Sequence, residues 1–325
     1  MKYQSSGRGV FIQKNTLQFI EKIDAIIFDC DGVLIDVSKS YDLAIKQTTA
    51  YVLEKFAHIK SIPITRTIIN GFKATGGFND EVDVTYASIL SLVAADQLGV
   101  DPKKFINTVT RNADSTGIIS VEKFLNTMNV DLSNIQKKLD YPGSHSAKPL
   151  YKIFDQIFYG PKLYKKIFHK PSDLKEKGFI ENDIVVVTKK LLDILGKKFE
   201  NKIAMVTGRG KYSTAHSLDK LFGKFNTNAS FFLEDHSRKL AKPNPKSLLM
   251  SINSLNSKCC IYVGDSMEDL IMASKANKMG KKTIFCGIYG TSENPNSKKR
   301  FFEKNNADLI LDSITLLPKA LNLAN

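Results

Sequence analysis

The sequence has little cysteine, and none of it is spaced for a metal site or a redox pair. The four cysteines lie mostly within apolar stretches and form no CxxC pattern; they are Cys30, Cys259, Cys260 and Cys286. Such cysteines are typical of small buried side chains in a reducing compartment, so neither a disulfide nor a zinc site is predicted. The five histidines show no ligand spacing, and none is a candidate catalytic residue.

Long apolar runs are also missing. No run approaches the roughly 18 residues that a membrane-spanning helix requires. The longest runs, within DIVVVT at 183–188 and AIIF at 25–28, have the length of buried strands. The N-terminal segment carries positive charge without a continuous apolar core, which is atypical of a signal peptide. We therefore expect a cytoplasmic protein without membrane contact.

Acidic residues are fewer than basic ones. Lys and Arg number 47 against 33 Asp and Glu, which gives a net charge of +14. This balance favours an anionic partner, such as a phosphorylated metabolite, nucleic acid or an acidic surface, and a solvated basic surface explains it equally well. The lysines occur in scattered pairs with few aromatic residues between them, so sequence-specific nucleic-acid binding is not favoured. The sequence does not indicate the oligomeric state.

The 325 residues are enough for one full domain and a smaller second one. From residue 200 onward, short apolar runs alternate with amphipathic helices, as in a parallel sheet covered on both faces. The run at 25–28 has the same character, and the stretch between them shows mainly helical periodicity. The predicted fold is α/β: a Rossmann-like, doubly wound parallel-sheet core in residues 1–36 and 200–325, with a helical domain inserted at 37–199.

Polar residues follow several of the predicted strands. Asp29 and Asp31 project to the same side because strand residues two apart share a face. Thr207, Lys242 and Asp265 follow three further strands. Ligands of parallel α/β sheets bind beyond the carboxyl ends of the strands, so we expect these side chains to converge there.

These residue types suit phosphoryl transfer. The Asp29 carboxylate can attack phosphorus to form an aspartyl phosphate, and Asp31 is placed to protonate the leaving alcohol and later to activate water. The acids Asp29, Asp31 and Asp265 offer the oxygen ligands that Mg²⁺ prefers. Thr207 and Lys242 can hold the transferring oxygens.

Four motifs carry a resemblance to a known family. DCDGVLID, VTG, AKPNP and GDSMED occur in this order, each behind a predicted strand, and resemble the four motifs of the haloacid dehalogenase-like (HAD) superfamily. The resemblance implies that Asp29 is the nucleophile and Asp31 the acid/base, whose carbonyl also contacts the metal. The remaining implied roles are phosphate binding by Thr207, Gly208 and Lys242, metal binding by Asp29, Asp31 and Asp265, and support by Ser266 and Asp269.

The position of the insertion also resembles one branch of this superfamily. It lies between the first and second motifs, as in the phosphoglycolate phosphatase-like and β-phosphoglucomutase-like branch, where such an insertion forms a cap domain. This insertion is longer than the usual four-helix cap. Arg66, Lys73 and Asn79 surround a Gly-rich turn and are candidate substrate contacts from the cap, with solvated loop residues as the alternative.

The predicted function is a Mg²⁺-dependent phosphatase that hydrolyses a small phosphorylated metabolite through an aspartyl-phosphate intermediate. A sugar-phosphate phosphomutase would use the same nucleophile and the same Asp31, and it is the nearest alternative. A non-catalytic nucleic-acid-binding protein on this fold is a further alternative. A haloacid dehalogenase is disfavoured, because those relatives lack the second acid.

Three further features have two interpretations each. Asp36 is interpreted as the start of a helix, although the family often keeps an acid there. The segment NADSTGIISVEK resembles a calcium loop, but Lys123 stands where a bidentate Glu is needed, so a turn between helices is the better account. Arg209 either touches the substrate phosphate or is an exposed loop residue.

Overall fold

The computed structural model describes residues 2–60, 62–78, 80–145, 147–292 and 294–323. The chain forms two compact units. Unit 1 comprises Met1–Val37 and Ile184–Asn325, and unit 2 comprises Ser38–Asp183. Each unit has its own apolar core: one cluster of buried side chains lies entirely in unit 2, and two lie entirely in unit 1.

Unit 1 contains an eight-stranded sheet and a separate two-stranded one. The strands are β1 (Tyr3–Ser5), β2 (Val10–Gln13), β3 (Ala25–Phe28), β4 (Ile35–Asp36), β5 (Ile184–Val185), β6 (Ile203–Thr207), β7 (Phe231–Phe232), β8 (Cys259–Gly264), β9 (Lys282–Ile288) and β10 (Leu309–Leu311). The large sheet has the order β1-β2-β10-β9-β8-β3-β6-β7. Six of its strands are parallel to one another: β10, β9, β8, β3, β6 and β7. Strands β1 and β2 form an antiparallel edge that was not predicted from the sequence.

Helices cover both faces of the large sheet. In β3, Ile26 and Phe28 pack in one apolar cluster, and Ala25 and Ile27 pack in the other. The helices of unit 1 are α8 (Lys189–Phe199), α9 (Lys211–Leu218), α10 (Lys246–Ser254), α11 (Met267–Lys278), α12 (Pro295–Lys304) and α13 (Leu317–Ala320). Side chains of α8, α9 and α13 join the first cluster, and those of α10, α11 and α12 join the second. The doubly wound α/β core is therefore confirmed.

The C-terminal boundary of the inserted domain differs from the predicted one. Helix α8 lies within the predicted insertion, yet it belongs to unit 1 because Leu191, Leu195 and Phe199 are buried in its core. The DIVVVT run is not a buried strand. Only Ile184 and Val185 form β5, and Ile184 is 44% exposed.

Strands β4 and β5 stand where the chain leaves and re-enters unit 1. They are antiparallel, with Ile35 opposite Val185 and Asp36 opposite Ile184. Asp36 therefore lies in a short strand, and its assignment to a helix start was wrong. The next helix begins at Tyr41.

Unit 2 is helical. Its helices are α1 (Tyr41–Val52), α2 (Arg66–Lys73), α3 (Glu81–Leu98), α4 (Pro102–Asn112), α5 (Ile118–Asn126), α6 (Ser133–Leu139) and α7 (Pro149–Phe168). Residues on all sides of α3 are buried, so it is the central helix of this unit. Helix α7 breaks at Gly160, whose φ of 68° is not helical. The described residues include no helix with the length and apolar character needed to cross a membrane.

The calcium-like segment is a turn between α4 and α5. Asp114 Oδ1 accepts hydrogen bonds from the backbone N–H and the hydroxyl of Thr116, at 2.7 and 2.5 Å. The next residue, Gly117, has a φ of +64° and directly precedes α5. The Asp114 carboxylate is thus used to close the turn, as short acidic side chains commonly are.

Candidate active site

Asp29 lies at the carboxyl end of β3, in the middle of the parallel sheet. Its backbone N–H donates to the Val263 carbonyl at 2.8 Å, which continues the pairing with β8 past the end of the strand. The side chain is nearly buried, with 7% of the residue exposed. Its Oδ1 accepts a hydrogen bond from the Cys30 backbone N–H at 2.7 Å. The strand and this hydrogen bond together orient the carboxylate.

Lys242 reaches the same place from the segment after β7. Its Nζ lies 2.8 Å from Asp29 Oδ1 and 2.7 Å from Asp269 Oδ1. Burial disfavours the ammonium form, but the Asp269 and Asp29 carboxylates outweigh it, so the pKa of Lys242 lies well above its ordinary value. Lys242 is therefore a fixed positive charge beside the predicted nucleophile.

Asp269 is fully buried in the first turn of α11. Its Oδ2 accepts hydrogen bonds from the Ser266 hydroxyl and from the backbone N–H groups of Asp265 and Ser266. Its Oδ1 contacts Lys242 Nζ and, at 2.8 Å, the Tyr262 hydroxyl. With both oxygens so engaged, Asp269 acts as a support for Lys242 and for the start of α11, where Ser266 caps the helix. A supporting role of Asp269 and Ser266 in catalysis stays a prediction.

Asp265 follows β8 and lies against Gly32. A Cβ at Gly32 would stand 2.5 Å from Asp265 Oδ2, and the φ of Gly32 is +73°, so only glycine fits here. The same Oδ2 lies 2.5 Å from Lys298 Nζ of α12. Lys298 was not predicted from the sequence because it stands in one of many lysine pairs, far from the motifs in the chain. Only the packing of α12 brings it to Asp265.

The acids of this site fit a divalent cation. Asp29, Asp265 and Asp269 each place a carboxylate oxygen within 4.8 Å of the others. Burial and the nearby Asp269 and Asp265 carboxylates raise the pKa of Asp29 to about 8 although Lys242 opposes them. Asp29 Oδ2 has no hydrogen-bond partner among the described residues. The site thus gathers three carboxyl groups against the two ammonium groups of Lys242 and Lys298, and carboxylate oxygens are the ligands that hard cations prefer.

The carboxylate of Asp31 does not join this cluster. Its Oδ1 lies 2.9 Å from Arg209 Nε. A metal contact of Asp31 through its carbonyl stays a prediction, as does its role as acid/base. Arg209 is not an exposed loop residue, because its side chain is 0% exposed.

Thr207 and Gly208 end the neighbouring strand β6. Thr207 is buried, and its hydroxyl accepts a hydrogen bond from the Arg209 backbone N–H at 3.3 Å. Gly208 is exposed, with open space where a side chain would stand. Phosphate binding by these two residues remains a prediction.

Two of the three candidate substrate contacts in unit 2 make ion pairs within that unit. Arg66 Nε lies 2.8 Å from Asp42 Oδ2, and Lys73 Nζ lies 2.9 Å from Glu81 Oε1. Asn79 lies outside the described residues. Substrate contact by any of them remains a prediction.

Comparisons with known proteins bear on the fold. No protein-family model matches the chain. A curated relative, imidazoleglycerol-phosphate dehydratase from Phytophthora nicotianae, is 22% identical over 299 residues, which cover 89% of this chain and 50% of that protein. The chain therefore spans about half the length of this relative.

Solved structures resemble nearly the whole chain. A structural-genomics target matches 92% of this chain and 98% of its own, with a TM-score of 0.64 and 17% identity. Phosphatase Tt82 from Thermococcus thioreducens matches 81% of this chain and 92% of its own, with a TM-score of 0.57 and 22% identity. A haloacid dehalogenase-like protein of unknown function from Agrobacterium tumefaciens matches 92% and 98%, with a TM-score of 0.48 and 16% identity. From the sheet order and the first two similarities, we conclude that the chain has the same doubly wound α/β fold as these two solved structures.

Proposed function

We propose that this chain is a Mg²⁺-dependent phosphatase that hydrolyses a small phosphomonoester through an aspartyl phosphate on Asp29. The observation that carries the proposal is the surroundings of Asp29 Oδ2: it is an open carboxylate oxygen at a strand end, beside a buried lysine and two further acids. The name of the similar structure Tt82, a phosphatase, supports the same reaction class.

The residues of this site divide the chemistry between them. Asp29 attacks phosphorus, and Lys242 stays protonated next to it, where it favours the approach of an anionic ester. Asp31 gives a proton to the leaving alcohol and then takes one from the water that hydrolyses the aspartyl phosphate. Thr207 and Gly208 would hold the phosphoryl oxygens from the end of β6.

A magnesium ion would be held by Asp29, by Asp265 and by the Asp31 carbonyl. When bound, it supplies positive charge that offsets the phosphate and the clustered acids. Asp269 would stay paired with Lys242, because both of its oxygens already accept hydrogen bonds within the protein. Unit 2 would act as the cap that selects the substrate.

The proposal is tested by measuring phosphate release from a panel of phosphorylated metabolites, with Mg²⁺ and with EDTA. We expect Mg²⁺-dependent release that Asp29→Asn abolishes, with a loss of at least about 10³-fold because the nucleophile is gone. Asp193→Asn on the exposed face of α8 is the matched control and should retain full activity. The proposal is contradicted if the purified wild-type protein releases no phosphate, or if Asp29→Asn keeps full activity.

Two substrates extend the panel. A sugar phosphate tests for a phosphomutase, since an isomerised product in place of free phosphate would favour that alternative. Imidazoleglycerol phosphate belongs in the panel because the curated relative is named for acting on it. Free phosphate from this ester would support a phosphatase. Loss of water with the phosphate retained would assign the dehydratase reaction to this chain.

A further inference from the structure

We propose that Arg209 is a positioning residue that holds the Asp31 carboxylate for proton transfer to the leaving group. The inference rests on the proposed phosphatase function and deepens it. Arg209 lies two residues past Thr207, and nothing in the four motifs assigns it a role.

The geometry couples Arg209 to Asp31. Arg209 Nε lies 2.9 Å from Asp31 Oδ1, and Nη1 donates to the Ser217 hydroxyl at 2.8 Å. The Arg209 side chain is 0% exposed and that of Asp31 is 27% exposed, so the pair is anchored inside the protein with the acid at its solvent side. A buried guanidinium is stabilised by a neighbouring carboxylate, so the Arg209–Asp31 pair is most favourable once Asp31 has given up its proton. Arg209 therefore holds the Asp31 side chain in place.

The backbone around Arg209 is held as well. The Gly208 carbonyl accepts from the Glu234 backbone N–H at 3.1 Å, and Glu234 Oε2 accepts from the Gly210 N–H at 2.8 Å. Asp235 Oδ2 accepts from the Lys211 N–H at 2.8 Å. Residues after β7 thus hold the backbone on both sides of Arg209. The guanidinium therefore lies beside Asp31 in a fixed position.

The reaction explains why Asp31 needs such a partner. As Asp29 forms its bond to phosphorus, the phosphorus–oxygen bond to the alcohol breaks, and its electron pair takes the proton of Asp31. Asp31 becomes a carboxylate, and Arg209 stabilises that charge while fixing the direction of the carboxyl group. The carboxylate then accepts a proton from the attacking water, and phosphate leaves Asp29.

The leaving group provides the test. A nitrophenolate leaves without a proton, whereas an alkoxide needs one, so an effect on Asp31 appears mainly with alkyl esters. We expect Arg209→Met to lower kcat on an alkyl phosphate by about 10²-fold and on p-nitrophenyl phosphate by less than about tenfold. KM should change little for either ester, and Arg209→Lys should recover part of the loss.

A double-mutant cycle separates positioning from damage to the fold. In the Asp31→Asn background, Arg209→Met should have no further effect on kcat, because Arg209 acts through Asp31. Lys189→Met on exposed α8 is the control and should leave both rates unchanged. If Arg209→Met does not fold, Arg209→Lys is measured in its place. Lysine keeps the charge but loses the fork geometry, so kcat on the alkyl phosphate should fall by less than in Arg209→Met and still more than kcat on p-nitrophenyl phosphate.

The outcomes are distinct. A loss that depends on the leaving group and disappears in Asp31→Asn supports the inference. An active wild type with an equal loss on both esters, or with additive effects of the two substitutions, overturns this inference and leaves the proposed function standing. An inactive wild type overturns both.

Discussion

At the scale of single residues, four aspartates of one site have four different surroundings. Asp29 is held by the Lys242 ammonium and a backbone N–H, Asp31 faces a buried guanidinium, and Asp265 lies beside a lysine of α12. Asp269 is saturated by hydrogen bonds. Because the environment decides whether a carboxylate attacks, transfers a proton or supports, the roles proposed for these four aspartates differ.

Gly32 is the residue whose replacement should disturb the proposed metal site most directly. An alanine Cβ would overlap Asp265 Oδ2 and would also strain a backbone with φ at +73°. We expect Gly32→Ala to raise the Mg²⁺ concentration for half-maximal activity by roughly tenfold or more. Titration calorimetry with Mg²⁺ checks the same loss without turnover.

Gly196→Ala is the matched control for this substitution. Gly196 lies in α8 with open space where a Cβ would stand, so alanine should leave Mg²⁺ binding unchanged. It should raise the free energy of unfolding by up to about 1 kcal/mol, since alanine is the better helix former. An unchanged Mg²⁺ affinity in Gly32→Ala would show that Asp265 is not a ligand.

At the scale of elements, β3 and β8 carry the site because they are neighbours in the middle of the sheet. Asp29 follows β3 and Asp265 follows β8, and their pairing runs from Ala25 opposite Cys260 to Phe28 opposite Val263. Parallel strands in register end at the same edge, so both acids arrive side by side. The start of this pairing should therefore influence the stability of the whole core.

Asp24 anchors that start. Its carboxylate accepts from the Ser257 hydroxyl at 2.5 Å and from the backbone N–H groups of Lys258 and Cys259 at 2.9 and 3.2 Å. Burial opposes ionisation, but the hydrogen bonds from Lys258 and Ser257 outweigh it and lower the pKa of Asp24 below its ordinary value. A lowered pKa in the folded state stabilises the fold above about pH 4, and this contribution is lost as the pH falls through the folded-state pKa.

We expect Asp24→Asn to lower the free energy of unfolding by about 1–3 kcal/mol at pH 7 and by less at pH 3. Urea unfolding of both proteins at the two pH values measures the difference. The exposed Asp96→Asn on α3 is the control and should follow the wild type throughout. A destabilisation of equal size at pH 7 and pH 3 would show that the charge of Asp24 contributes nothing.

At the scale of the whole molecule, the chain holds two cores that share no buried apolar residue. The cluster of unit 2 and the two clusters of unit 1 are built from separate parts of the sequence. The strands that flank the insertion, β4 and β5, pair with each other inside unit 1. The chain thus leaves unit 1 and returns to it at adjacent positions.

Unit 1 should therefore fold without unit 2. If an Asn-Gly linker replaces Ser38–Asp183, β4 and β5 become a hairpin, and the two apolar clusters of unit 1 keep all their members. We expect cooperative thermal unfolding by circular dichroism and a dispersed amide spectrum. Broad, non-cooperative unfolding of the shortened chain would contradict this, with the full-length protein as the reference.

The sequence by itself determined the elements that carry the site. An apolar strand followed by acids is a local pattern, so the positions of Asp29, Asp31, Thr207 and Asp265 near strand ends are predictable from the order of residues alone. The parallel core and its two covered faces followed from the alternation of short apolar runs with amphipathic helices. The end of the insertion was placed too late, because α8 has the same amphipathic pattern as the helices of unit 2.

Only the tertiary structure decided which side chains surround these acids. Arg209, Tyr262 and Lys298 reach Asp31, Asp269 and Asp265 through the packing of strands and helices. Strand order and helix packing join residues that are distant in the chain, and local periodicity carries no information about such neighbours. The kinds of chemical group at the site are therefore readable from the sequence, whereas their charge balance and orientation depend on long-range contacts.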